Sequence, residues 1–177
     1  TSVINDVIAQ GLTIVAASGN DALNLTGGSS YPAACDNVIS VGATDTTGLR
    51  APHSDYNNSV DIAAPGGNND LDENGDGYSD GVLAYGRNER GIFMQGTSMA
   101  APHVSGALAV LHSIDSGLTP AETDAYLQGG YLTDDIGSSG RDNEYGYGAL
   151  NLAKAVKSVI ENEGITASYA IPSPLVL

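Results

Sequence analysis

Between Gly96 and Leu111 the chain reads Gly-Thr-Ser-Met-Ala-Ala-Pro-His-Val-Ser-Gly-Ala-Leu-Ala-Val-Leu, small residues first and an apolar run after them. This pattern predicts a buried helix over 98–112, because side chains this small allow close packing. Thr97 or Ser98 suits the N-cap, where a hydroxyl accepts from the free N–H groups of the first turn. Pro102 would break a helix interior, but it is expected within the first turns, where backbone N–H groups have no intrahelical partner. A hydroxyl at this end of a helix sits at the positive pole of the macrodipole. Two roles fit Ser98 there: a cap on a core helix, or a nucleophile whose reaction generates an oxyanion.

The flanking segments alternate between helix and strand patterns. Residues 1–10, with Val3, Ile4, Val7 and Ile8 apolar and Gly11 as terminator, predict the later part of an amphipathic helix. Leu12 to Ala17 is a short continuous apolar run, the signature of a buried parallel strand. Val38 to Ala43 and Val60 to Gly66 read as further strands, and 82–85 and 92–95 as extended segments about a turn at Gly86-Arg87-Asn88. Thr119 and Pro120 predict the cap and first position of another helix, with Ala121, Ala125 and Leu127 on its core face. A polar, glycine-rich stretch covers 131–141, a last helix 152–161, and a linker or tail 162–177. With 23 glycines, nine tyrosines and no tryptophan, the chain reads as a turn-rich α/β protein. Open α/β sheets place ligands just beyond the C-terminal ends of strands. Ser18-Gly19-Asn20-Asp21 is such a turn, although Asn20 alone is also an ordinary turn former.

Charge narrows the partners. Six Lys and Arg against 21 Asp and Glu give a formal net charge of −15 over 177 residues. A chain this acidic is repelled by nucleic acid and by anionic membrane surfaces, so neither is expected as a partner. No apolar run approaches a membrane span. The single cysteine, Cys35, excludes a disulfide within this chain. The acidity concentrates in one loop, where Asp72, Asn74, Asp76, the Tyr78 carbonyl and Asp80 alternate as oxygen ligands around a turn at Gly77. That order is how an EF-hand-type loop wraps calcium. The twelfth position is Leu83 rather than Glu, and Asp70 is the candidate replacement ligand. A solvated acidic loop is the alternative. Because Asp70, Asp72, Glu73, Asp76 and Asp80 repel one another without a cation, a structural calcium ion is the expectation.

Several stretches resemble the subtilisin-like serine proteases, the subtilases, and together they run from residue 12 to about 157. G-T-S-M-A-A-P-H-V-S-G at 96–106 resembles their nucleophile segment, which implies that Ser98 is the acylated residue. V-A-A-S-G-N at 15–20 resembles the segment whose asparagine donates to the tetrahedral oxyanion, implying that role for Asn20. By the same resemblance Ala17, Ser18 and Gly19 form one wall of the primary specificity pocket and Ser30 lies at its floor. Y-P at 31–32 with V-I-S-V-G-A at 38–43 matches a family segment whose Tyr–Pro bond is cis in many members. V-D-I-A-A-P-G at 60–66 and Y-G-Y-G-A-L-N-L-A-K-A-V at 145–156 match two more, the latter the usual close of the catalytic domain. The resemblance implies the C-terminal portion of a three-layer α/β fold with a mostly parallel central sheet over residues 1–161, with the acidic loop, about 67–81, as an insertion. It also implies a secreted endopeptidase acting on proteins or peptides.

The family needs an Asp and a His that both precede the oxyanion asparagine, and neither motif lies within the 19 residues before Asn20. His103, five residues after Ser98, reads as a core histidine; His112 and His53 are no better placed to serve as base. The chain is expected to be inactive alone, with the Asp and His on an absent N-terminal part or a separate chain that associates with it. The competing expectation is a catalytically inactive calcium-binding interaction module or scaffold.

Overall fold

The computed structural model describes residues 2–24, 30–87 and 90–164. The expected tail therefore lies outside the described residues from 165 onward, as does the middle of the loop 24–30. Helix α1 (Ser2–Ile8) ends where the Gly11 N–H donates to the Ile8 carbonyl at 2.9 Å, with Gly11 at φ 87° as the predicted terminator. Strands β1 (Ile14–Ala17), β2 (Val38–Thr44) and β3 (Ile62–Pro65) pair in parallel, Ala17 opposite Val41 and Gly42 opposite Ala63. The hairpin β4 (Val82–Tyr85) and β5 (Gly91–Met94) forms a separate antiparallel pair. Helices α2 (Thr97–Ile114) and α3 (Pro120–Gln128) follow, then β6 (Thr133–Asp134), β7 (Ala149–Leu150) and helix α4 (Leu152–Asn162). The sheet order is β1-β2-β3-β7-β6, parallel except for β6. This is the α/β architecture with a mostly parallel sheet expected from the sequence, and the Tyr31–Pro32 bond is cis.

Strand β2 is buried along its whole length. Ile39, Val41 and Ala43 join the core with Ala100, Val104, Leu108 and Leu111 of α2 and with Ala155 and Val159 of α4. Each fully buried Val, Leu or Ile side chain there contributes about 1.5–3 kcal/mol. Strand β1, expected to be buried, is only half-buried, because among the described residues it is the outermost strand of the sheet and pairs on one side alone.

The structure corrects the helix reading in four places. Helix α2 begins at Thr97, so its N-cap is Gly96, with no side-chain cap, and neither Thr97 nor Ser98 plays that part. Pro102 consequently falls in the second turn, where it has no N–H to offer the Ser98 carbonyl. Only one stripe of α2 is buried, so His103 is exposed rather than a core residue. On α3 the buried residues are Thr123 and Leu127, while Ala121 and Ala125 face solvent. Thr123 tolerates burial because its hydroxyl donates to the Thr119 carbonyl at 3.0 Å. The predicted Thr119 cap is present as a full capping box with Glu122. Those bonds from Thr119 hold the Glu122 carboxyl below its usual range.

Candidate active site

The turn after β1 and the start of α2 meet, although 78 residues separate them. Thr97 makes the junction. Its N–H donates to Asn20 Oδ1 at 2.8 Å, and its hydroxyl lies 3.1 Å from the same oxygen and 3.3 Å from the Gly19 carbonyl. The Gly19 N–H in turn donates to the Thr97 hydroxyl at 3.3 Å. A backbone N–H facing the side-chain amide settles its orientation: the oxygen is turned to Thr97, which leaves Nδ2 as the end able to donate to a ligand. A Cβ on Gly96 would sit 3.4 Å from Asn20 Oδ1 and 3.5 Å from Nδ2, so the amide lies directly against the residue that precedes the helix.

Ser98 is the second residue of α2 and is exposed, as is Asn20. Of the first four amides of the helix, that of Thr97 goes to Asn20, and those of Met99 and Ala100 return to the Gly96 carbonyl at 2.9 and 3.3 Å. The Ser98 N–H is the remaining one, without an acceptor among the described residues. A hydroxyl, a free backbone N–H and an amide NH₂ therefore stand together at the positive end of an 18-residue helix. Negative charge developing on an oxygen beside Ser98 would find two donors already in place. Sequence reasoning offered Thr97 or Ser98 as the cap and missed the part of Thr97 in holding Asn20; the hydroxyl next to Ser98 was its only signal.

Ala17 ends β1 and is half-buried, whereas Ser18 is 2% exposed with its hydroxyl donating inward to the Asp55 carbonyl at 3.4 Å. Any wall built by 17–19 is thus mainly backbone. Ser30 stands near it, its Oγ 3.5 Å from the position a Cβ on Gly19 would take. A separate cavity of about 580 Å³ opens at the opposite end of β2, between Cys35, Asp36, Asp61 and the first turn of α3, and does not reach Ser98 or Asn20.

Among the described residues none of the three imidazoles hydrogen-bonds to Ser98. The His103 ring nitrogen Nδ1 lies 2.8 Å from the Met99 carbonyl, so it carries the proton and donates back along its own helix. His112 lines a shallow cavity with Leu12, Thr13 and Ser105. His53 has a buried Nε2 without a partner among the described residues, and burial, then the nearby Arg50 cation, push its pKa below the ordinary 6.5.

The acidic loop curls on its own side chains. Asp72 accepts from the N–H of Asp76 and of Gly77, each at 3.1 Å, and Asp76 Oδ1 accepts from the Tyr78 N–H at 2.8 Å. Asn74 Oδ1 also takes the Asp76 N–H at 3.0 Å. Asp80 instead accepts from the Glu73 N–H at 2.8 Å and from the Thr46 hydroxyl at 3.2 Å, and the Asp70 N–H goes to Asn68 Oδ1 at 3.1 Å. Among the described residues no three His, Cys, Asp or Glu side chains converge on a point that would hold a metal ion. The loop is anchored on the segment that leads into α2: Tyr78 stacks on Phe93 with centroids 5.8 Å apart, and the Asn69 N–H donates to Gln95 Oε1 at 2.6 Å.

Residues 2–148 match the subtilase family. An extracellular protease of Xanthomonas campestris pv. campestris is 38% identical over 126 residues, covering 71% of this chain and 20% of its own length. Subtilisin Savinase of Lederbergia lenta is 34% identical over 154 residues, covering 87% of this chain and 49% of its own. Among solved structures, a protease of Pseudoalteromonas arctica superposes with a TM-score of 0.76 at 31% identity, covering 89% of this chain and 46% of that one. The chain thus spans between a fifth and a half of the length of these curated relatives.

Proposed function

The chain belongs to the subtilase family, and on that premise we propose that it supplies the nucleophile and the oxyanion site of a secreted serine endopeptidase. One observation carries the reading: Thr97 holds Asn20 by its amide oxygen, beside an exposed Ser98 at a helix N-terminus. Ser98 Oγ attacks the carbonyl carbon of a peptide bond while its proton passes to an imidazole. The carbonyl electron pair moves onto oxygen, where Asn20 Nδ2 and the Ser98 N–H donate to it. Collapse of the tetrahedral adduct breaks the C–N bond, the imidazolium protonates the departing amine, and water then hydrolyses the acyl-serine by the same route. The imidazole and its orienting carboxylate are assigned to an N-terminal part of the same protease, docked on this chain, since neither His53, His103 nor His112 is placed to act. Ala17, Ser18, Gly19 and Ser30 would line the pocket for the side chain preceding the scissile bond. Secretion is supported by relatives named as extracellular proteases; among the described residues no helix is long and apolar enough to cross a membrane.

Labelling with a fluorophosphonate tests this reading. The probe is expected to modify Ser98 when this chain is joined to its upstream part, and to leave both the chain alone and the Ser98→Ala variant unmodified. No labelling in the full-length protein would favour the inactive interaction module or scaffold instead.

Calcium in the acidic loop belongs to the same proposal as a structural ion. It is supported by the order of oxygen ligands and by the curl of Asp72, Asn74, Asp76 and Tyr78, with Asp70 and Asp80 drawn in on binding. Chelation is expected to lower the melting temperature of the full-length protein by several degrees, and Asp76→Ala to abolish the difference. Identical melting with and without calcium would sink the idea.

A further inference from the structure

Asp55 is a buried carboxylate, 2% exposed, and among the described residues no cation pairs with it. Its Oδ1 accepts from the N–H of Asp21 and from that of Leu23, both at 2.9 Å. Between these, the Ala22 N–H donates to the His53 carbonyl at 2.9 Å. The three successive amides that follow Asn20 are therefore all held by one short segment, 53–55. Bonds also run the other way: the Asp55 N–H donates to the Gly19 carbonyl at 3.0 Å and the Tyr56 N–H to the Leu23 carbonyl at 3.1 Å. A Cβ on Gly19 would overlap Asp55 Oδ2, so the carboxylate lies flush against the residue preceding Asn20. Within the clamped turn Ala22 sits at φ 57°, in the left-handed region that disfavours a residue with a Cβ. Such a conformation persists only where its surroundings over-determine it.

We propose that Asp55 is a positioning residue for the oxyanion site, its carboxylate clamping the turn 19–23 so that the Asn20 amide stays beside Ser98. The proposal rests on Asn20 being the oxyanion donor. A charged acceptor holds two N–H groups about twice as strongly as a neutral one, and without it the strain at Ala22 is free to relax. The displacement passes to Asn20, two residues away, where a shift of about 1 Å costs catalysis on the order of 100-fold.

A double-mutant cycle in the full-length protein, with kcat and KM read on a chromogenic peptide, tests the proposal. Asp55→Ala is expected to lower kcat about tenfold or more with KM changed less than about threefold, and to cost little further once Asn20 is alanine. A loss of the same size in both backgrounds overturns it, because damage to the fold at large would not need the Asn20 side chain. So does a kcat within about twofold of the wild type. If Asn20→Ala alone leaves kcat unchanged, the donor reading fails, and that arm identifies the failure separately. Should Asp55→Ala not accumulate as folded protein, Asp55→Asn keeps one oxygen facing the two amides but gives up the charge. Its expected loss is about threefold, confined to the Asn20 background; no loss, or the same loss in both, overturns the proposal.

Discussion

Replacing Asn20 by alanine in the full-length protein is expected to lower kcat by a factor on the order of 10²–10³ while leaving KM nearly unchanged, the size measured for such a donor in a subtilisin. The direction follows from where the amide is held. Its oxygen is occupied by the Thr97 N–H at 2.8 Å, so only Nδ2 is turned to the volume where an oxyanion would form. That donor strengthens its bond as the carbonyl oxygen gains charge, so its removal falls on the transition state rather than on substrate binding. The loss corresponds to about 3–4 kcal/mol. Stability is expected to fall as well, by about 1–3 kcal/mol, because the buried Thr97 N–H loses its acceptor. A rise in KM at constant kcat would instead make Asn20 a contact for bound substrate. Steady-state kinetics on one peptide decide between the two.

Gly146→Ala is expected to damage the fold heavily. Gly146 sits at φ 62°, and an added Cβ would overlap the carbonyl carbon and oxygen of Asp61. Neither backbone can yield easily. The Asp61 carbonyl accepts from the Tyr147 N–H at 2.8 Å, the Asp61 N–H donates to the Ser40 carbonyl at 2.9 Å, and Asp61 leads directly into β3. Left-handed strain costs roughly 1–2 kcal/mol and the forced shift about 1–3 more, so a loss near 3 kcal/mol or above is expected. Gly48→Ala isolates the first part, since Gly48 is at φ 81° with nothing within 4 Å of an added Cβ. It should lose only about 1–2 kcal/mol. Equal losses in urea unfolding of the two variants would show that contact with Asp61 is not the cause.

Much of the fold was legible where a local pattern is long enough to speak. The apolar runs at 12–17 and 38–43 became β1 and β2, and Thr119-Pro120 with Glu122 became a capping box. Strands β6 and β7 were invisible because they are two residues each, too short for any periodicity. The core face of α3 was misjudged because alanine is apolar yet small enough to leave exposed, whereas Thr123 could be buried once its hydroxyl found the Thr119 carbonyl. Thr97 was misassigned for a related reason. A hydroxyl at a helix start looks the same in sequence whether it caps its own helix or reaches across to another element.

The site divides in the same way. Chain order alone singled out the candidates for the site: a serine amid small residues at a helix start, an asparagine in the turn after a parallel strand, an acidic loop with alternating oxygens. These are properties of neighbours in sequence, set by backbone propensity and by which side chains carry lone pairs or protons. Only the tertiary structure decided that Asn20 lies against Thr97 and that it presents its nitrogen rather than its oxygen. It also placed Asp55, from a polar stretch with no distinguishing pattern, out of water beneath the turn that holds Asn20. Burial of a polar group and the direction of an amide both depend on partners dozens of residues away, and no local pattern carries that information.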